Sequence, residues 1–569
     1  MTRGRGTGRS RGRRLAAAVG RRPTFGGLVV GLVFWWQSLS PTLLPRSWAV
    51  QAAISAICAT LGYALGTLGG RVVRAVLRRR GTHLPAAGWR RARLGLGALG
   101  ALAVVIGPLR WLGWQNAQRD LVDMQHLSGI VVLPMLVLTV VLMAVLATGG
   151  RVVGAAVRGL DRWNQRHLPR AVAQPLTLVL VAVLGVFVLR DVAFGRFTDW
   201  ASTTFGVVDT GTADGVNRPT TATVSGGAGS LVDWDDLGLQ GRTFTAGATT
   251  TDELRAFWGD DLEVLEPIRA YAGLRSAGDA GDRAALAVDD LERAGGFDRD
   301  VLVVATATGT GWIDPDAAEA VEQINQGDTA IVSMQYSYLP SWISFITDLD
   351  LAAEAGAELF DEVHRRWSEL PDDDRPTLLV FGLSLGSFGA ESAFAGVDGD
   401  TSLANLVARS DGALFVGPAH ANPILRQLTE GRDAGSPEWA PVVDGGRVVR
   451  FVTRDPDQPE PDGPWPEPRV LYVQHPSDPV THWGADWLWS RPGWMDNPRG
   501  YDVTDDGRWF PVVTWVQGVF DLMAGFAAPP GFGHDYRLDY VDAWSRIAAP
   551  DGWTDADTER LELFLFPER

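Results

Sequence analysis

Residues 378–392 read "LLVFGLSLGSFGAES", an apolar run that ends on a serine between glycines. If Leu378 to Phe381 form a buried strand, the chain must turn sharply through Gly382, Ser384 and Gly386 before a helix begins at "SFGAESAF". This is the layout of a nucleophile elbow: the hydroxyl is exposed on a tight strand-to-helix turn, and small residues two positions to either side let strand and helix approach closely. Glycine-rich chains produce G-x-S-x-G by chance, so a base, an acid and an oxyanion hole must be found elsewhere.

The surrounding pattern supplies a sheet for the elbow. Short runs rich in β-branched residues lie at 301–308, 329–336, 377–383, 412–417 and 469–475, and each reads as a buried strand. Between them "DPDAAEAVEQINQ" and "LAAEAGAELFDEVHRRWSEL" have helical spacing with charged outer faces. Strands that alternate with helices predict a mostly parallel sheet covered on both faces. Ligands of such sheets sit at the carboxyl ends of the strands.

Three groups fall at such places: Ser384, Asp478 in "VLYVQHPSDPVTHW", and His534 in "PPGFGHDY". Their order along the chain, Ser, Asp, His, is that of the α/β-hydrolases. A serine hydroxyl is a poor nucleophile at neutral pH. A histidine can take its proton and pass it to the leaving group, while a carboxylate holds the imidazole tautomer. Each residue also has an ordinary structural use: Ser384 fills a tight turn, Asp478 starts a turn before Pro479, and His534 caps a helix.

Among the other histidines after residue 200, His364 sits in a charged helix, while His420, His475 and His482 are nearer rivals. His475 is expected to bind substrate or to support the site, and Asp350 and Asp411 are the fallback acids. For the oxyanion hole, one backbone N–H is expected from Leu385 and a second from Thr308, Gly309 or Thr310 in "TATGTGW" (306–312). These glycines do not make a phosphate loop: no G-K-[ST] follows, and the chain has no lysine. No His/Asp/Glu cluster has metal-ligand spacing, so neither metal nor organic cofactor is expected.

The charges divide the chain. Residues 1–195 hold 25 arginines and four acidic residues, whereas the rest holds 26 arginines and 63 acidic residues. The first part contains five apolar segments, near 24–45, 48–70, 94–114, 127–149 and 171–189, most of them long enough to cross a bilayer. The first, with "FWWQSLSPTLLPR", is broken by Gln37 and Pro41. Arginines cluster before the first segment, between the second and third, and between the fourth and fifth. With five crossings these clusters share one side, so the N-terminus is expected in the cytoplasm and everything beyond about residue 195 outside. A basic tail joined to membrane spans reads as a topology signal or a contact for anionic lipid rather than a nucleic-acid site. The single cysteine, Cys58, allows no intrachain disulfide.

The expected organisation is therefore an Arg-rich cytoplasmic tail (1–22), a membrane domain of about five transmembrane helices (23–195), a Thr/Gly/Ser-rich linker and entry segment with little regular structure (196–250), and an extracytoplasmic α/β-hydrolase domain (251–569). "TATGTGW", "SMQYSYLPSW", "FGLSLGSFGAE", "GALFVGP" and "VQHPSDPVTHW", behind an Arg-rich multi-span N-terminus, resemble the actinobacterial membrane-anchored α/β-hydrolase family. That resemblance covers nearly the whole chain and implies a serine hydrolase with no specific substrate. "GPAHANP" departs from the family pattern after Pro418, at His420.

The function expected from these residues is hydrolysis of an acyl ester, with a cell-envelope lipid as substrate and the bilayer as partner. Acyl transfer between envelope lipids or glycans uses the same triad with another acceptor. A sensor or scaffold that binds without turnover is the alternative of another class. The tryptophans of "HWGADWLWSRPGW", Trp487 and Trp489 among them, together with Trp342, are expected to wall a lipid-facing groove, or else to be core. Oligomeric state leaves no signal in the sequence.

Overall fold

The computed structural model describes residues 23–80, 86–187, 195–458, 460–496 and 498–567. The Arg-rich tail, residues 1–22, lies outside the described residues. The chain forms two units, one of residues 1–197 with 485–491 and 504–521, the other of 198–484, 492–503 and 522–569.

The second unit is built on seven parallel strands: β1 (Ile268–Ala272), β2 (Val301–Thr306), β3 (Thr329–Met334), β4 (Thr377–Leu383), β5 (Gly412–Val416), β6 (Val449–Val452) and β7 (Arg469–Val473). Their order in the sheet is β1-β3-β2-β4-β5-β7-β6. All five predicted strands are present, with β1 and β6 added at the two edges. Side chains alternate between the faces with the period of two that a strand imposes. Leu302, Val304, Leu378 and Val380 pack on one face, and Val303, Ala305, Leu379 and Phe381 on the other. Burial on both faces accounts for the nearly continuous apolar runs of the central strands.

β1 escapes a hydrophobicity reading because Arg269 stands within it. Its guanidinium is buried and forked on Glu322, Nε to Oε1 at 2.6 Å and Nη2 to Oε2 at 2.8 Å. Glu322 also accepts the Thr249 N–H at 3.1 Å, so the buried carboxylate is fully engaged. A charge in a strand is tolerated only with such partners.

The direction of chain travel reverses at the centre of the sheet. From β2 the chain passes to β3 on one side, then returns to β4 on the other. The loops after β2 and β4 diverge there, opening a crevice at the strands' carboxyl ends.

Residues 196–250 are not a linker of little regular structure. Helices occupy Gly195–Asp209 and Gly238–Ala246, and Val224 bridges to Arg269 beside β1. Buried polar groups hold this segment: Asp209 accepts from the Leu239 N–H at 3.0 Å and pairs with Arg275 at 3.0 Å, and Arg242 donates to the Asp209 carbonyl at 2.8 Å. Its polar composition reflects these internal bonds as much as exposure to solvent.

The first unit contains helices Phe25–Gln37, Trp48–Arg79, Ala86–Leu121, Val132–His167 and Arg170–Phe187. Three stretches are long and apolar enough to cross a membrane: Trp48–Leu77, Arg90–Leu121 and Gly129–His167. The first and fifth expected spans form shorter apolar helices, Phe25–Gln37 and Arg170–Gly185. At 1.5 Å per residue the first covers about 20 Å, short of a hydrocarbon core of about 30 Å. Five full-length spans are thus not present among the described residues.

Residues 485–491 and 504–521 were expected in a continuous catalytic domain but belong to the first unit. Phe510 meets Phe34 edge-on at 5.3 Å, and Val513 and Val516 join a buried cluster with Ile54 and Cys58. Beneath them Asp521 pairs with Arg46 at 3.2 Å, and Gln517 donates to the carbonyls of Ser38 and Ser40 at 3.2 and 2.8 Å.

Candidate active site

Ser384 closes β4 and begins the helix Leu385–Ser392, with φ 56° and ψ −121°. An L-residue pays strain for a positive φ, and such strain persists where the surroundings enforce it. Here they do so by proximity. A Cβ at Gly382 would lie 2.6 Å from the Gly386 carbonyl oxygen, and one at Gly386 would lie 2.3 Å from that of Thr306. The glycines flanking the serine are therefore required by close contact of strand, turn and helix.

His534 and Asp478 meet as expected. His534 Nδ1 lies 2.7 Å from Asp478 Oδ2. The carboxylate is fully buried, and it also accepts from the Tyr536 hydroxyl at 2.7 Å and the Val480 N–H at 2.8 Å. A carboxylate so placed fixes which imidazole nitrogen carries hydrogen. His534 Nε2, the other nitrogen, is buried and has no hydrogen-bond partner among the described residues. Ser384, 5% exposed, and His534, 6% exposed, line one cavity of about 690 Å³.

The turn after β2 is placed as expected but used differently. The Thr308 N–H donates to the Trp312 carbonyl at 3.0 Å, and the Gly309 N–H to the Tyr336 hydroxyl at 2.9 Å. Neither is available to a ligand, because the first is bonded within the turn and the second to Tyr336 beyond β3. The N–H groups of Thr310 and Leu385 donate to no protein acceptor among the described residues. Thr308 still lines the cavity, and its hydroxyl is 2.9 Å from that of Ser341.

His475 does not line the cavity. It is fully buried, its ring stacked on Tyr536 at 4.1 Å, with Nδ1 3.0 Å from the Gly533 carbonyl and Nε2 3.2 Å from Asp539. Burial opposes its charge, but Asp539, Asp502 and the Gly533 carbonyl together outweigh burial and hold its pKa above the ordinary value. Both ring nitrogens face acceptors, so the doubly protonated ring suits this position. The Gly533 N–H in turn donates to Ser477 Oγ at 3.0 Å. Gly533 is thus gripped at both backbone groups, immediately before His534.

Nor do the expected tryptophans line the cavity. Trp487 is buried and belongs with Trp489 to the first unit, whereas Trp489 and Trp342 are exposed. The rival groups are also elsewhere. His364 stacks on Phe360, His420 donates its N–H to the Val480 carbonyl, and burial lowers the pKa of His482 to about 4. Asp411 accepts the Leu378 N–H near the amino end of β4, and Asp350 is exposed in the first turn of a helix. Reading the sequence missed Tyr536 and Asp539. Their spacing, two and five residues after His534, carries no signal without the positions of Asp478 and His475.

Comparison with known proteins agrees with this architecture. A family model described as "Alpha/beta-hydrolase family" matches residues 268–561, and one described as "Alpha/beta-hydrolase family N-terminus" matches residues 39–248. No curated protein matches the chain. Among solved structures, Trichoderma reesei cutinase in complex with a C11Y4 phosphonate inhibitor aligns at 13% identity over 44% of this chain and 87% of that one. Its TM-score is 0.19, too low to equate the two folds. With the catalytic-region model covering more than half of its length, the chain belongs to this alpha/beta-hydrolase family.

Proposed function

We propose that the protein is a membrane-anchored serine hydrolase that cleaves a carboxylic ester of a membrane lipid through an acyl-enzyme on Ser384. One observation carries the reading: the strained Ser384 and the unpartnered Nε2 of His534 line one cavity, while Asp478 holds the other ring nitrogen. In the first step the Ser384 hydroxyl gives its proton to His534 Nε2 as Oγ attacks the ester carbonyl. The N–H groups of Leu385 and Thr310 receive the oxyanion. As the C–O bond breaks, the proton on His534 passes to the departing alcohol. Water, activated by the same nitrogen, then releases the acid.

The three helices of spanning length support the anchor. The arginine clusters favour a cytoplasmic N-terminus and an extracytoplasmic catalytic unit. A fluorophosphonate probe tests the chemistry. Wild-type protein labels, Ser384→Ala does not, and His534→Ala labels far more slowly. Equal labelling of Ser384→Ala and wild type would exclude this nucleophile.

A further inference from the structure

The lining of the cavity above Ser384 holds two chemically different sets of residues. Trp312, Pro315, Pro340, Leu383 and Phe526 form apolar surface, suited to an acyl chain. Opposite in character are Gln240, Asp314, Asp316, Asp535 and Arg537. Three carboxylates face one guanidinium, and that guanidinium is already committed: Arg537 forks onto Asp535, Nε to Oδ1 at 2.9 Å and Nη2 to Oδ2 at 2.8 Å. Asp314 and Asp316 are drawn to the same guanidinium, so three carboxylates share one cation. Asp314 is buried and accepts from the Tyr540 hydroxyl at 2.8 Å and the Asp316 N–H at 3.0 Å.

Resting on the reading of Ser384 as an ester nucleophile, we infer that the alcohol half of the ester is a neutral polyhydroxylated group of the sugar class. Esters whose alcohol half carries a phosphate are rejected. Carboxylates and an amide can accept and donate hydrogen bonds to several hydroxyls, and the half-buried Trp312 offers an aromatic surface to the C–H face of a ring. A phosphate placed there meets three carboxylates balanced by one guanidinium in a partly desolvated cavity, where like-charge repulsion is weakly screened. Burial raises the Asp314 pKa to about 7, so near neutrality it serves hydroxyls either as donor or as acceptor. The buried, unpartnered His534 Nε2 marks the same cavity as the place where a ligand is engaged.

The test uses the full chain in detergent and two esters with the same acyl chain, an acyl glucose and an acyl glycerol phosphate. The expected kcat/KM favours the sugar ester by about tenfold, and the ratio changes little as salt is added, because the charges lie in a partly desolvated cavity. Asp316→Asn lowers turnover of the sugar ester and raises that of the phosphate ester. Equal turnover, preference for the phosphate ester, or labelling at Ser384 with neither ester cleaved overturns this inference alone. Absence of labelling at Ser384 overturns the nucleophile reading beneath it.

Discussion

His475 holds the carbonyl of Gly533, the residue before His534, at 3.0 Å from its Nδ1, while its Nε2 meets Asp539 at 3.2 Å. The contact places a buried histidine behind the proposed base rather than beside the substrate. Gly533 needs holding because the chain there adopts φ 56° and passes directly into His534.

His475→Gln is therefore expected to lower kcat with little change in KM, since it loosens the base without touching the cavity. A structural role alone predicts lost stability with kcat of the folded fraction unchanged. The pH dependence has a definite sign. The folded pKa of His475 is raised, so its stabilisation is complete below the unfolded value of about 6.5 and is lost as pH rises through the folded pKa. The Tm difference between wild type and His475→Gln should be greatest at acid pH and shrink on the alkaline side.

Tyr536→Phe removes a hydroxyl that donates to Asp478 and accepts from the His475 N–H. A hydrogen bond to a charged group contributes about 1.5–3 kcal/mol. Probe labelling of Ser384 should slow by about tenfold or more, with the fold retained in circular dichroism. Labelling at the wild-type rate would show that Asp478 needs no second donor.

Gly386→Ala places a methyl group 2.3 Å from the Thr306 carbonyl oxygen, backbone against backbone. Overpacking of this kind costs about 1–3 kcal/mol. The expected result is a lower denaturation midpoint together with lost labelling, because the turn that exposes Ser384 must shift. A fully active, equally stable variant would mean that the elbow is looser than its contacts imply.

The tryptophans of 482–494 separate by burial. Trp487→Ala should cost about 3–5 kcal/mol, as for other buried aromatic residues, since the side chain is only 1% exposed. Trp489 is 66% exposed, and its replacement by Ala should change stability by less than about 0.5 kcal/mol. Thermal unfolding in detergent distinguishes them. Comparable losses would place Trp489 in contacts absent from the structure.

Asp521→Ala leaves Arg46 buried without its carboxylate. Removing one partner of such a pair typically costs about 3–5 kcal/mol. The double variant Arg46→Met with Asp521→Leu should recover much of that loss. Failure of the double variant to recover any of it would assign the cost to the surrounding hydroxyl and amide groups.

The elbow, the five inner strands and the Ser–Asp–His order are contiguous or periodic features, so residues 378–392 and their neighbours determine them locally. A strand-turn-helix written in fifteen residues needs no distant partner to be recognised. The edge strands were hidden for the opposite reason: Arg269 looks unfit for a strand until Glu322, 53 residues later, is found against it. The sequence favours His534 as the base and leaves His475 as a rival that supports the site or binds substrate. Only the packing that buries one beneath Gly533 and turns the nitrogen of the other into the cavity decides between them. Likewise composition makes 482–494 look like the wall of a groove and 196–250 like a linker, yet burial of Trp487 and of Arg242 assigns both to packed structure. Local backbone preference is carried by neighbours along the chain, whereas the burial of a charge or an indole depends on which distant groups meet it, and that only the tertiary structure decides.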